Sequence, residues 1–201
     1  MSNLSRRTFL RGAAAMPLAL WAARHANAAD PAIRYDIASP EGAAMLQVYA
    51  NAVTRMQALA ATNPTSWTWQ WYTHFVDGTT TKADELTRIF GDGDSTQKSF
   101  AGEVWNTCQS HSGQNSNHFL PWHRMFVFYF ERIVRQVSGR SDFALPYWNY
   151  TSDDPALRGI LPPEFRMPDD PVFDCLYRDN RTSLANSGAG LLFVTVPNTV
   201  P

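Results

Sequence analysis

FLPWHRMFVFYFERIVRQVSG, residues 119–139, is the stretch that decides the fold. Its spacing predicts a helix from about Trp122 to Val137. Pro121 stands just ahead, where a proline with its fixed φ suits an opening turn. Gly139 lies where a glycine takes the left-handed position that ends a helix. Phe126, Phe130, Ile133 and Val137 fall on one face with His123, and Arg132 and Arg135 fall on the outer face. Glu131, eight residues after His123, comes back to roughly the same face. There it can orient a ligand, hold an arginine such as Arg124, or sit in a solvated charge pair.

Upstream, Glu41 to Ala60 reads as an amphipathic helix. Ser39-Pro40-Glu41 is a start signal, and Met45, Val48, Tyr49, Val53, Met56 and Leu59 recur at spacings of three and four. Asn63-Pro64 ends it. Ser66 to Phe75 is dense in aromatics (Trp67, Trp69, Trp71, Tyr72, Phe75) and contains His74. Asp77 to Thr81 is turn-like and Gly91 to Asp94 is a loop. Phe100 to Cys108 reads as a short helical or irregular segment. Downstream, Pro146, Pro155, Pro162, Pro163, Pro168 and Pro171 punctuate the chain, so long regular elements are not expected there. The fold class is mainly α.

A chain of 201 residues has room for one domain with a real core. Aromatic residues make up 13% and charged residues 17%, which points to an aromatic-lined interior rather than a highly charged surface. A net charge of −1 speaks against nucleic acid as a partner, because phosphate binding needs a concentrated basic face. The first residues are read as an address rather than as part of the fold. Ser5-Arg6-Arg7-Thr8-Phe9-Leu10-Arg11 is a twin-arginine signature, Gly12 to Ala23 is an apolar stretch too short for a stable membrane anchor, and Ala26-Asn27-Ala28 offers small residues for cleavage. The expected division is therefore a signal peptide over 1–28 and one domain over 29–201, exported by the twin-arginine machinery to the periplasm or beyond. That route carries folded proteins, which favours a cofactor inserted before export. Cys108 and Cys175 are too few for a disulfide scaffold. Cys108, three residues before His111, is read as a buried inert cysteine in preference to a thiol beside a metal.

Five histidines occur, and His25 falls inside the signal. His74, His111, His118 and His123 remain, clustered in the middle of the chain. Neutral imidazole is a common ligand for copper, zinc, iron and nickel. A site of three imidazoles needs them to arrive from separate backbone directions. A helix-borne His123, a loop histidine and one from the earlier aromatic segment meet that need.

The words around these histidines resemble the first copper-binding region of tyrosinases and related polyphenol oxidases. Trp105-Asn106-Thr107-Cys108-Gln109 precedes His111; Phe119-Leu120-Pro121-Trp122-His123-Arg124 opens the helix; Phe130-Glu131-Arg132 and Leu145-Pro146-Tyr147-Trp148-Asn149-Tyr150 follow. The likeness covers about residues 40 to 180. It implies a helix bundle with long Pro-rich loops, copper as the cofactor, and His123 as the helix-borne ligand with His74 as the first. The family's middle ligand usually stands nine residues before the helix histidine, a position held here by Gln114. His111 follows the Cys-Gln pair as in the family and is preferred, with His118 the less favoured substitute. The resemblance implies oxidation of phenols or catechols to quinones with dioxygen; zinc at three histidines is also chemically possible.

The family's second copper takes three more histidines, and no histidine follows His123. Leu161-Pro162-Pro163-Glu164-Phe165-Arg166 and Tyr177 to Arg181 still resemble the segment that joins the two copper regions. The expectation is thus a partial bundle, its second half absent, holding one copper and weakly active or inactive alone. Its apolar faces are left uncovered. Two further readings stand beside it: a non-catalytic module binding a single copper, and half of a heteromeric oxidase completed by a second chain.

Overall fold

The computed structural model describes residues 32–76, 79–108 and 116–189. The expected signal over 1–28, its boundary, and His111 lie outside the described residues. From Arg34 onward the described residues form one compact unit.

Five helices carry it. α1 spans Pro40–Ala58, α2 Trp67–His74, α3 Lys82–Phe90, α4 Thr96–Val104 and α5 Phe119–Ser138. A short α6, Ser183–Ser187, follows two 3-10 turns at Pro163–Phe165 and Asp174–Leu176. The proline-rich stretch thus holds only short elements, as its composition predicts. Among the described residues extended pairing is confined to one parallel bridge between Asp36 and Tyr147.

The starts of α1 to α4 are chemically marked. Ser39 accepts from the Gly42 amide, Ser66 from Trp69, Thr81 from Asp84 and Ser95 from Lys98, so side-chain oxygens serve amides that have no partner inside the helix. Gly42 lies so close to the Asp36 carbonyl that any side chain there would collide with it. Gly139 closes α5 at φ 73°, its amide donating to the Arg135 carbonyl.

α1 packs along α5. Ala52 and Met56 of α1 meet Phe130 and Val134 of α5 and Phe143 beyond it. On its other side α1 buries Leu46, Ala50 and Val53 against Cys175 and Leu176. A third cluster, Trp69, Val76, Ala101 and Trp105 with Leu86, Ile89 and Phe90 around it, holds α2 against α3 and α4. Both cysteines are free thiols, and Cys175 is a core residue whose Sγ contacts the Ala50 carbonyl at 3.3 Å.

Two charged residues depart from the sequence reading. Glu131 is buried, and its partner is not Arg124. Its Oε1 accepts from Arg34 Nε at 2.8 Å and from the Leu145 amide at 2.9 Å. Arg135, expected outside, turns back and donates from Nε to the Phe143 carbonyl at 2.6 Å. The long arginine stem reaches a loop carbonyl that would otherwise be buried without a donor. Glu131 thus ties both strands of the Asp36–Tyr147 bridge to the middle of α5.

Phe130 sits where α1, α2 and α5 meet, with Tyr49 and Trp67 packed edge-on to its ring at 6.2 and 6.4 Å. Phe130→Ala should cost about 3–5 kcal/mol in a urea melt, whereas Phe128→Ala, half exposed on the opposite face, should cost less than about 0.5 kcal/mol. Glu85 supplies a pH test. Arg88 first, and the Tyr72 hydroxyl second, hold its carboxyl below the ordinary value of 4.5 against the opposing effect of burial. A group depressed in this way stabilises the fold above its unfolded pKa, and that contribution disappears as pH falls through the folded value. Glu85→Gln should therefore lower stability by about 1 kcal/mol at neutral pH, exposure of Arg88 keeping the figure small. The gap to wild type should close on acidification below pH 4.5.

Candidate metal centre

α2 is an unlikely helix on propensity alone, since Trp, Thr, Tyr and His are all middling helix formers. Packing on two sides imposes it. Trp69 and Tyr72 face the cluster around Trp105, with ring distances to Trp105 of 5.4 and 5.0 Å. Trp67 and His74, seven residues and two turns apart, share another face and lie along α5. On α5 the matching pair is His123 and Phe130, also seven apart. The helices run antiparallel here. Trp67 meets Phe130 at 6.4 Å, and His74 meets His123 with ring centroids 5.5 Å apart.

The His74 ring is seated by α5 as well. Trp122 and Phe126, stacked on one another at 5.1 Å, each lie 5.8 Å from it. The orientation of the His123 ring is set by its own helix: Nδ1 lies 2.8 Å from the Phe119 carbonyl, to which it donates. Nε2 is left as the metal-binding nitrogen. Burial, and then the neighbouring His123, push the His74 pKa below 6.5, which favours the neutral form that metals bind.

The third component comes from the chain after α4. The buried Trp105 anchors it, and Asn106 turns it with φ 58°, a left-handed conformation that asparagine tolerates better than most residues. The Asn106 and Thr107 amides then donate to the carbonyls of Tyr72 and Thr73, at 2.6 and 3.3 Å, serving the end of α2. Cys108 follows and is laid beside His74. Its Sγ is 3.5 Å from Nε2 of His74 and 3.5 Å from Nε2 of His123. One donor atom from each of His74, Cys108 and His123 lies within 4.8 Å of the others. Burial raises the Cys108 thiol pKa.

Of the residues expected to ligate a metal, His74 and His123 come together. His111 lies outside the described residues. His118 is exposed at the end of a 3-10 turn, Ser116–His118, and is not among the three converging groups. Cys108, read as inert and buried, is half-buried and central. The signal for it was Asn106 two residues earlier, a turn former between a core tryptophan and the thiol. A cavity of 310 Å³ lies elsewhere, between Ile37, Trp148 and Leu161, and none of the three donors lines it.

The family model described as the common central domain of tyrosinase matches residues 55–186. The chain belongs to the tyrosinase family. It is 37% identical over 146 residues to tyrosinase HcTyr1 of Hahella sp. (strain CCB-MM4), covering 64% of this chain and 29% of that protein. It is 41% identical over 54 residues to a tyrosinase of Streptomyces lincolnensis, covering 27% and 19% of the two. With the chloroplastic polyphenol oxidase II of Ipomoea batatas it shares 41% identity over 61 residues, or 30% and 10% of the two chains. The chain spans less than a third of the length of these relatives. Family membership implies copper, and two imidazoles with a thiol beside them are donors of the right chemistry for it.

Asn106→Gly should fold within about 0.5 kcal/mol of wild type, because glycine accepts positive φ freely. Asn106→Val should cost about 1–2 kcal/mol for a branched residue in that conformation. Thermal melts of both variants check this.

Proposed function

We propose that the chain carries the first half of a tyrosinase-type copper centre and that the complete centre oxidises phenols or catechols to quinones with dioxygen. The observation that supports this is the meeting of His74 and His123 at the ends of two antiparallel helices, in a chain of this family. His74 and His123 would hold one copper, with His111, earlier in the sequence than α5, joining them. Copper held by neutral imidazoles supplies one-electron redox chemistry and an open coordination position.

The remaining work falls to residues around the ligands. The Phe119 carbonyl fixes the His123 ring and its proton at Nδ1. Trp122 and Phe126 wall off one side of His74, limiting water there and holding the ring in place. The exposed edge of His74 leaves the site open on the other side, where a flat phenolic ring could approach.

A second element belongs to this reading. α5 carries an outer stripe of Leu120, Met125, Phe128 and Tyr129, exposed by 69%, 56%, 51% and 52%. An apolar stripe of this kind is a contact face. A further helical segment, in a longer polypeptide or a second chain, would cover it and bring the second set of imidazoles. A non-catalytic module holding one copper is the alternative. Export by the twin-arginine route remains part of the proposal, on the sequence of residues 5–11.

The test is copper stoichiometry and catechol turnover on the 201-residue chain. One copper per chain is expected, lost in His74→Ala and His123→Ala and retained in His118→Ala. Catechol oxidation should stay near background. Turnover near the enzyme median of about 10 per second would overturn the claim that this chain holds only half a centre.

A further inference from the structure

The cavity of 310 Å³ beside the start of α1 plays no part in the metal centre, since none of the three converging donors lines it. Hydrogen bonds brace the stretches of chain around it. Ile37 lines it and donates its amide to the Tyr147 carbonyl at 2.9 Å, and Trp148, next to Tyr147, lines it too. The loop after Trp148 is closed by the Gly159 amide, which donates to the Tyr150 carbonyl at 2.9 Å, and by Arg158 Nε, which donates to the Ser152 carbonyl at 2.7 Å. Leu161, Pro162 and Pro163 complete the wall, and the two prolines bring no amide hydrogen to it. The space is therefore preformed and mainly apolar. Its volume falls at the small end of the range for ligand sites, with room for a single ring and a short chain.

Three charged side chains line the same space: Asp36, Glu164 and Arg166. Arg166 is already engaged. Its Nε donates to the Leu161 carbonyl at 2.9 Å and its Nη1 to the Ser187 carbonyl at 3.1 Å, and Gly188 lies so close that a side chain there would collide with the guanidinium. The two carboxylates have no ion-pair partner among the described residues. Asp36 accepts one amide, that of Ala38, at 3.0 Å. An apolar chamber in which carboxylates outnumber cations favours a cationic ligand with an apolar body. The indole of Trp148 adds attraction for a cation and a flat surface for a ring. We propose that this cavity binds a small aromatic amine, its ring against Trp148 and the prolines and its ammonium answered by Asp36 and Glu164. The site is separate from His74 and His123 and needs no copper.

The test is isothermal titration of the metal-free 201-residue chain with 2-phenylethylamine, which carries the ring and the ammonium but no phenol. One probe per chain is expected, with a Kd below about 1 mM. Butylamine keeps the ammonium without the ring, and 3-phenylpropionate keeps the ring with the opposite charge. Each should bind at least about tenfold more weakly. Ala43 and Ala156 line the cavity at exposed positions, so a tryptophan at either fills the space without entering the core. Ala43→Trp and Ala156→Trp should each abolish binding while circular dichroism stays that of wild type. Asp36→Asn combined with Glu164→Gln should weaken 2-phenylethylamine about tenfold and narrow its lead over 3-phenylpropionate. Three results would overturn the proposal: no binding of 2-phenylethylamine to wild type, equal binding of 3-phenylpropionate, or undiminished binding to the folded tryptophan variants. The first two are read on wild type, so they decide the matter even where a variant fails to fold.

Discussion

The centre depends on one packing match. Trp67 and His74 are seven residues apart on α2; His123 and Phe130 are seven apart on α5. When two antiparallel helices pack Trp67 against Phe130, the same two turns of each helix carry His74 to His123. Neither imidazole has to find the other. Their meeting follows from an aromatic contact at the far end, and the hydrophobic burial of Trp67, Phe130, Tyr49 and Met56 stabilises it. The ridge of Trp122, Phe126 and Phe130, stacked ring to ring along α5, extends this contact over its length. A polar site is thus positioned by apolar forces that bind no metal themselves.

Polar contacts fix what the ridge leaves free. Helix ends leave carbonyls and amides without partners, and here those orphan groups are used for placement. The carbonyls at the end of α2 draw in the Asn106–Thr107 segment, and the sulfur of Cys108 arrives with it. Glu131 works in the same manner farther along α5. Its carboxylate joins Arg34 and the Leu145 amide, so the chain entering α1 and the chain leaving α5 are held at one point. The acid of the Phe-Glu-Arg word is therefore a tie between segments distant in sequence.

Much of the frame was legible in the residues. α5 announced itself through Pro121, Gly139 and a clean apolar period, and α1 through Ser39 and its stripe. The proline-rich tail could hold little regular structure, and holds little. α3 was not legible. Its segment, Lys82 to Phe90, buries a single residue, and that residue is a glutamate paired with Arg88 and Tyr72. Hydropathy reads such a face as solvent. α2 was hidden for the opposite reason: its aromatics are weak helix formers, and only their packing on two sides makes the helix. Arg135 looked outward because sequence spacing places the Cα, while its long side chain turned back to a loop carbonyl. The pairing of His74 with His123 was legible in kind, as two family ligands. The seven-residue register that enforces it emerges only when both helices are seen together. Cys108 was read as buried, yet it is half-buried beside both imidazoles, because a backbone turn rather than any pattern of its own places it.

The central claim is that His74 and His123 share one ion. Nitrogen-15 NMR of histidine-labelled chain, titrated with cuprous ion, tests it directly. The account predicts that the Nε2 signals of these two rings move together and saturate at one equivalent, while His118 stays still. Separate saturation of the two rings, or a shift in only one, would contradict it.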